Sequence, residues 1–226
     1  MGDFHSPGAF FIGLCGNIGV GKSLFAERLG RRLNLEVYYE PVAQNPYLEP
    51  FYGNMRRWAF HLQIYFLAER FKAQKRMNNQ GLPFIQDRTI YEDGEVFARV
   101  LHERGEMDDQ DYAAYIALFR EMVEILTTPG LLIYLHAGPS TLLKRIADRG
   151  RACEAGITGQ YLQQLEDAYR HWLPRMKTEC PVMELDTEDM EYPPSGHVLD
   201  RIVERIGQEA GKRRFSLAGH GVAGHA

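Results

Sequence analysis

The sequence predicts an α/β fold in which a five-stranded parallel sheet is covered by helices on both faces. Three observations predict it. Short apolar runs alternate with longer stretches of helical periodicity, the rhythm of βα units. The first two of these segments flank Gly16-Asn17-Ile18-Gly19-Val20-Gly21-Lys22-Ser23, which fits the phosphate-binding pattern G-x-x-x-x-G-K-[ST] in its strand–loop–helix setting. Acidic residues follow apolar runs at Glu40, Asp87 and Asp186, at the strand ends where open parallel sheets bind ligands.

Residues 1–8 read as a loose leader and residues 9–210 as a single domain. Phe10–Cys15 is a short apolar run, a buried first strand, and Leu24–Leu33 has the apolar spacing of a first helix. Gly16, Gly19 and Gly21 let the loop between them turn tightly and aim its N–H groups inward, where the helix start adds its positive end. Lys22 can reach the β- and γ-phosphates of a nucleoside triphosphate, and the Ser23 hydroxyl can bind Mg²⁺. Leu35–Tyr39 is the second strand. It stops at Glu40-Pro41, since proline cannot continue the ladder, and so puts a carboxylate beside the phosphate loop.

Residues 44–52 form a proline-punctuated connection with room for a short helix. Met55–Met77 reads as a long helix with a broad apolar stripe that includes Trp58 and is interrupted by Gln63 and Arg70. Buried polar groups among aromatics need partners, and a ligand can supply them. Leu82–Gln86 is the third strand and runs into Asp87-Arg88-Thr89. An acid directly after a strand is the arrangement that sets a carboxylate near Mg²⁺, and Arg88 would enter the same cleft. Helices are predicted over Ile90–His102, which carries Asp93 and Phe97, and over Asp108–Leu126.

Leu131–Leu135 is the fourth strand and Pro139–Ala147 the helix after it. Arg145, Arg149 and Arg151 surround Gly150 in a short segment, the composition of a mobile lid that clamps phosphates. Thr158–Lys177 is an amphipathic helix, Val182–Leu185 the fifth strand, Asp186-Thr187-Glu188-Asp189 a loop at the same sheet edge, and His197–Gln208 the last helix. From residue 211 onward the chain is basic and then rich in Gly, Ala and His, a composition expected to be disordered.

Composition narrows the function classes. A net charge of −4 over 226 residues argues against bulk nucleic-acid or membrane binding. No apolar run is long enough to span a bilayer, and no signal-peptide core is present near the N-terminus. The three cysteines show neither C-x-x-C nor zinc spacing, which fits a reduced, cytoplasmic protein.

The ordered set of the P-loop, Glu40-Pro41, Trp58 with Gln63, Asp87-Arg88-Thr89, Asp93 with Phe97, and Arg149-Gly150-Arg151-Ala152-Cys153-Glu154 resembles the deoxynucleoside kinase family from Phe10 to about Asp189. The resemblance implies a P-loop kinase fold with strand order 2-3-1-4-5, ATP as phosphate donor, Mg²⁺, a deoxynucleoside as acceptor, and a homodimer. It gives Glu40 the part of general base toward the 5′-hydroxyl, with Arg88 holding that carboxylate and the reacting phosphate. Tyr52 and Glu154 match positions that bond the sugar 3′-hydroxyl. Gln63 would pair with the base edge, Trp58 and Phe97 would wall the base pocket, and Arg70 and Asp93 would finish it. Arg145, Arg149 and Arg151 would form the lid, and Asp186–Asp189 the loop over the donor adenine. Two departures stand out: Asp87 and Thr89 occupy positions where relatives often have Glu and Ser, and Cys153 precedes Glu154 where relatives carry two adjacent acids.

Two rival classes fit less well. A nucleoside monophosphate kinase would have to place an acceptor phosphate against Glu40, which would repel it. A P-loop switch would need an N-K-x-D or D-x-x-G element, and the sequence has neither. An Arg70–Asp93 pair in the base pocket would accept from an exocyclic amine. This favours deoxyadenosine, deoxyguanosine or deoxycytidine over thymidine, with a lean toward purines.

Overall fold

The apolar run Phe11–Gly16 is buried at every position and forms β1, the centre of a sheet covered on both faces. The structure is a computed structural model that describes residues 10–40, 44–188 and 196–212. On one side β1 pairs in parallel with β3 (Phe84–Asp87), with Leu14 opposite Asp87. On the other it pairs with β4 (Leu131–His136), with Gly16 opposite Leu135. The edge strands β2 (Glu36–Tyr38) and β5 (Val182–Asp186) complete the order β2-β3-β1-β4-β5. This is the expected topology. In this register Gly16, Asp87 and Asp186 all lie at the same carboxyl-end edge.

Helices form where the sequence supplies both a buried stripe and a cap. α1 (Lys22–Leu33) ends at Asn34, whose φ of 54° is the left-handed stop. α2 is the short Leu48–Gly53. The long α3 (Met55–Gln80) starts at Asn54, whose side chain accepts from Arg57 N, and stops at the left-handed Gly81. α4 (Ile90–Glu92) opens with a capping box between Thr89 and Glu92. Plain α-helix is predicted here, but the chain instead widens into a π-helical stretch, Asp93–Ala98, before α5 (Arg99–Glu103). Gly94 permits the close approach at this point, since a Cβ there would lie 2.8 Å from the Phe119 ring.

Phe119 belongs to α6 (Asp109–Glu124), capped by the Asp108 side chain. Next, α7 (Pro139–Arg149) has proline in its first turn and the left-handed Gly150 after its last. The lid segment contains a single 3₁₀ turn, Ala152–Gly156, which the sequence did not foretell. Further on, α8 (Gly159–Glu179) is capped by Thr158. The last helix, α9 (Gly196–Lys212), runs past Gln208 into the start of what composition marks as tail. The leader, Pro41 and Asp189, and the tail from residue 213 lie outside the described residues. No helix among the described residues is long and apolar enough to cross a membrane. Cys15 and Cys180 are buried, whereas Cys153 in the lid segment is only half-buried.

Candidate active site

The P-loop joins β1 to α1 as predicted. Gly16 has φ 138°, and a Cβ there would lie 2.2 Å from the Leu135 carbonyl oxygen, so only glycine fits. Asn17 is fully buried. Its amide donates to Leu162 O at 2.8 Å, and its side-chain oxygen accepts from Ile18 N at 2.8 Å, tying the loop to α8. The start of α1 has no side-chain cap, and a helix N-terminus at a glycine-rich loop suits an anion. Lys22 Nζ donates to the carbonyls of Gly16 and Asn17, each at 2.9 Å. Burial, and after it the positive charge of Arg88, lowers the Lys22 pKa to about 8.

Ser23 Oγ donates to Asp87 Oδ2 at 2.5 Å, as the sequence pairing of the two requires. The other Asp87 oxygen, Oδ1, is buried without a hydrogen-bond partner. Burial raises the Asp87 pKa, with Lys22 the largest opposing influence. A hydroxyl and a carboxylate with an unspent oxygen, both beside the phosphate loop, suit a hard cation that takes its remaining ligands from phosphate and water.

Glu40 follows β2 and meets two guanidiniums. Its Oε1 accepts from Arg70 Nη2 at 2.5 Å and forms an ion pair with Arg88 Nε at 3.1 Å. Burial pushes the carboxyl up, but Arg88 and Arg70 outweigh it and hold Glu40 below its ordinary value. Arg70 Nη1 also donates to Asp93 Oδ2 at 2.6 Å. The Arg70–Asp93 pair is the expected one, while the bond from Arg70 to Glu40 is not visible in sequence. Burial raises the Asp93 pKa to about 7, opposed by Arg70. Arg88 itself has φ 71°, a conformation that costs a non-glycine residue energy and gathers at functional sites. Its guanidinium lies 4.2 Å from the centre of the Phe97 ring.

These groups line one cavity of about 270 Å³. Gly19, Lys22 and Ser23 stand at one end, Glu40 and Arg88 in the middle, and Gln63, Arg70, Asp93 and Phe97 at the other. Gln63 is 3% exposed and its Oε1 has no hydrogen-bond partner, the condition of a group kept for a ligand. Tyr52 and Glu154 also line the cavity. Trp58 departs from expectation: it is not among the lining side chains and instead packs on Tyr47 and His61, with Arg57 over its ring. Phe66, which the sequence reading left in the general apolar stripe of α3, lines the cavity and lies under Arg70.

In the lid segment, Arg149 and Arg151 both form ion pairs with the buried Glu154, the latter at 3.1 Å. Arg145 points elsewhere, donating to Thr187 Oγ1 at 2.9 Å and Thr187 O at 2.6 Å. Glu188 accepts from Gly138 N and Thr141 Oγ1, each at 2.5 Å, and so fastens the loop after β5 to the start of α7. Asp186 accepts from Glu188 N at 2.9 Å within that loop.

Sequence reading missed Glu92 and Tyr169. Glu92 is fully buried. Its Oε1 accepts from Thr89 N at 2.8 Å, its Oε2 accepts from Gly16 N at 3.4 Å and from Tyr169 OH, and Arg88 Nη1 lies 3.6 Å away. The T-x-x-E spacing of Thr89–Glu92 was the available signal, although it points only to a helix start.

A cradle for phosphates at one end of a cavity, and a carboxylate held between two guanidiniums at its middle, suit transfer of a phosphoryl group to a hydroxyl on a small molecule. This defines the class as a P-loop phosphotransferase. The chain belongs to the deoxynucleoside kinase family, whose model (Deoxynucleoside kinase) matches residues 12–210. It phosphorylates deoxynucleosides on a P-loop kinase fold. A deoxyadenosine/deoxycytidine kinase of Bacillus subtilis is 40% identical over 208 residues, covering 91% of this chain and 95% of that protein. A deoxyadenosine kinase of Dictyostelium discoideum is 38% identical over 204 residues, covering 90% of this chain and 80% of that one. Among solved structures, deoxyadenosine kinase from M. mycoides with bound dATP superposes with a TM-score of 0.76 at 28% identity, covering 88% of this chain and 99% of that one.

Proposed function

We propose that the enzyme transfers the γ-phosphate of ATP to the 5′-hydroxyl of an amine-bearing deoxynucleoside, returning free deoxynucleosides to the nucleotide pool. The observation that carries this reading is the Glu40 carboxylate, which lies between Arg70 and Arg88 in a cavity that runs from the P-loop to Gln63 and Asp93. Glu40 takes the 5′-hydroxyl proton while the oxygen bonds to phosphorus and the bond to the departing ADP breaks. Lys22, Arg88, Arg149 and Arg151 meet the negative charge on the transferring group, and Tyr52 and Glu154 hold the 3′-hydroxyl. Ser23 and Asp87 hold Mg²⁺, which neutralises phosphate charge when bound. The described part of the loop after β5, Asp186–Glu188, covers the donor adenine, with Arg145 holding it in place through Thr187.

Gln63 pairs with the base edge and Asp93 accepts from an exocyclic amine, on cytosine or adenine, while guanine can donate its ring N–H. Thymine would turn a carbonyl oxygen toward the carboxylate. Relatives named as deoxyadenosine, deoxycytidine and deoxyguanosine kinases support the three amine-bearing acceptors. The test is a panel of the four deoxynucleosides with ATP and Mg²⁺, read as ADP release. Turnover of the three amine-bearing acceptors with little of thymidine is expected, and a thymidine preference would remove Asp93 from base reading. We also read the enzyme as a cytoplasmic homodimer. The exposed Leu118 of α6 and Ile125 just after that helix supply apolar surface for a second copy, and sedimentation of the intact chain checks the assembly.

A further inference from the structure

Glu92 is more deeply enclosed than a helix cap needs to be. A cap uses one carboxylate oxygen, and Oε1 does that work by accepting from Thr89 N at 2.8 Å. Oε2 faces the other way, accepting from Gly16 N at the end of β1 and from Tyr169 OH on α8. Gly16 O lies 2.9 Å from the same hydroxyl oxygen. One carboxylate therefore joins the P-loop entrance, the start of α4 and the middle of α8. Every neighbour donates, so the position calls for two acceptor oxygens, which a carboxylate has and an amide lacks, and burying its charge is costly unless it is paired. The paired charge is the Arg88 guanidinium, 3.6 Å away.

Arg88 thus has two carboxylates, Glu40 at 3.1 Å on the cavity side and Glu92 at 3.6 Å behind. Only the first touches the cavity. We propose that Glu92 is a positioning residue that locks Arg88 and the P-loop into one unit and remains the counter-charge of Arg88 when Glu40 becomes protonated. This rests on reading Glu40 as the base. When the 5′-hydroxyl proton passes to Glu40 and the new O–P bond forms, Glu40 no longer balances Arg88. A guanidinium in a left-handed residue, with its first partner neutralised, would be free to follow the phosphate. Glu92 keeps it at the distance at which the acceptor oxygen and the phosphate meet.

The experiment compares Glu92→Gln, Arg88→Lys, the double variant and Glu40→Gln in the full chain, measuring kcat, the KM of the best deoxynucleoside, and Tm. Glu92→Gln keeps the volume and one acceptor oxygen but drops the charge and the second acceptor. Its kcat should fall about 10²-fold, the scale of a small misplacement at the reacting centre, with nucleoside KM changed less than about 3-fold. If Glu92 acts through Arg88, the double variant should be no more than about 3-fold slower than Arg88→Lys alone, because residues in one network do not add. Multiplying losses, or a Glu92→Gln kcat within about 2-fold of the parent while Glu40→Gln is inactive, would overturn the proposal and leave the base intact. An active Glu40→Gln would instead remove the underlying reading. Should Glu92→Gln fail to fold, Tyr169→Phe takes its place. It removes the hydroxyl that donates to Glu92, so kcat should drop with KM unchanged, and an unchanged kcat refutes the proposal.

Discussion

Arg70 Nη2 lies 2.5 Å from Glu40 Oε1, so the side chain that pairs with Asp93 also grips the carboxylate that follows β2. In the proposed assignment, recognition and proton transfer share one guanidinium.

Glu40→Gln should lower kcat by about 10²–10⁴-fold, the range for losing a general base, while leaving ATP affinity nearly unchanged. Single-turnover kinetics and ATP titration separate the two effects. Turnover close to the parent rate would exclude Glu40 as base. In the parent, Glu40 is held below its ordinary value. The acid limb of kcat/KM should therefore fall at lower pH than an unperturbed carboxylate would give.

Arg149→Ala and Arg151→Ala should each reduce kcat far more than they raise nucleoside KM. Their guanidiniums now rest on Glu154, and in the reaction they would meet charge that develops only at the transition state. Glu154→Gln should show the opposite split, with nucleoside KM rising most, because its proposed role is to hold the 3′-hydroxyl. Unchanged kcat in both arginine variants would reduce the cluster to a solvated helix end.

Replacing Arg70 with Met and Asp93 with Ala together should raise thymidine turnover relative to the amine-bearing bases. Absolute kcat should fall for every acceptor, since Glu40 loses its 2.5 Å partner. A site built to bond one edge rejects the analogue lacking it by up to about 10⁴-fold, so the ratio leaves wide room for change. A double variant with the parent's acceptor ranking would place base reading elsewhere.

Asp93 predicts a pH-dependent stability. Its folded pKa is raised to about 7, against roughly 4 for an unfolded aspartate. Between these values the native state holds a proton that the unfolded chain has released, so stability falls as pH rises from about 4 to 7. Asp93→Asn, which has no carboxyl to titrate, should flatten that part of the curve. Urea unfolding of the parent and Asp93→Asn at matched pH gives the difference. Parallel curves would show that Asp93 ionises normally.

Much of the site was legible because its parts are local: the P-loop between strand and helix, Glu40 before Pro41, Asp87 after β3. Each tied a residue type to a strand end, and the sheet register then brought Gly16 and Asp87 to one edge. The unread parts depend on distant pairing. Glu92 meets Gly16 and Tyr169 from 76 and 77 residues away, and no local spacing encodes that. The π-helical stretch at Asp93–Ala98 has an apolar pattern too close to the α period to be told apart, and Phe119, the ring that packs against its Gly94, sits on another helix. Trp58 was misplaced for a related reason, since its helical position did not reveal that Tyr47 and His61 would cover it.

The distribution of thiols gives the lid a ready-made spectroscopic handle. Of the three cysteines, two lie in the sheet region out of reach of solvent, and the half-buried Cys153 stands between Arg151 and Glu154. A maleimide dye added to the native enzyme should therefore attach at one place without any engineered cysteine. The label would sit beside Arg149 and Arg151, the arginines proposed to exchange Glu154 for phosphate. Its emission could follow lid movement in real time, and stopped-flow traces could time closure against ADP release.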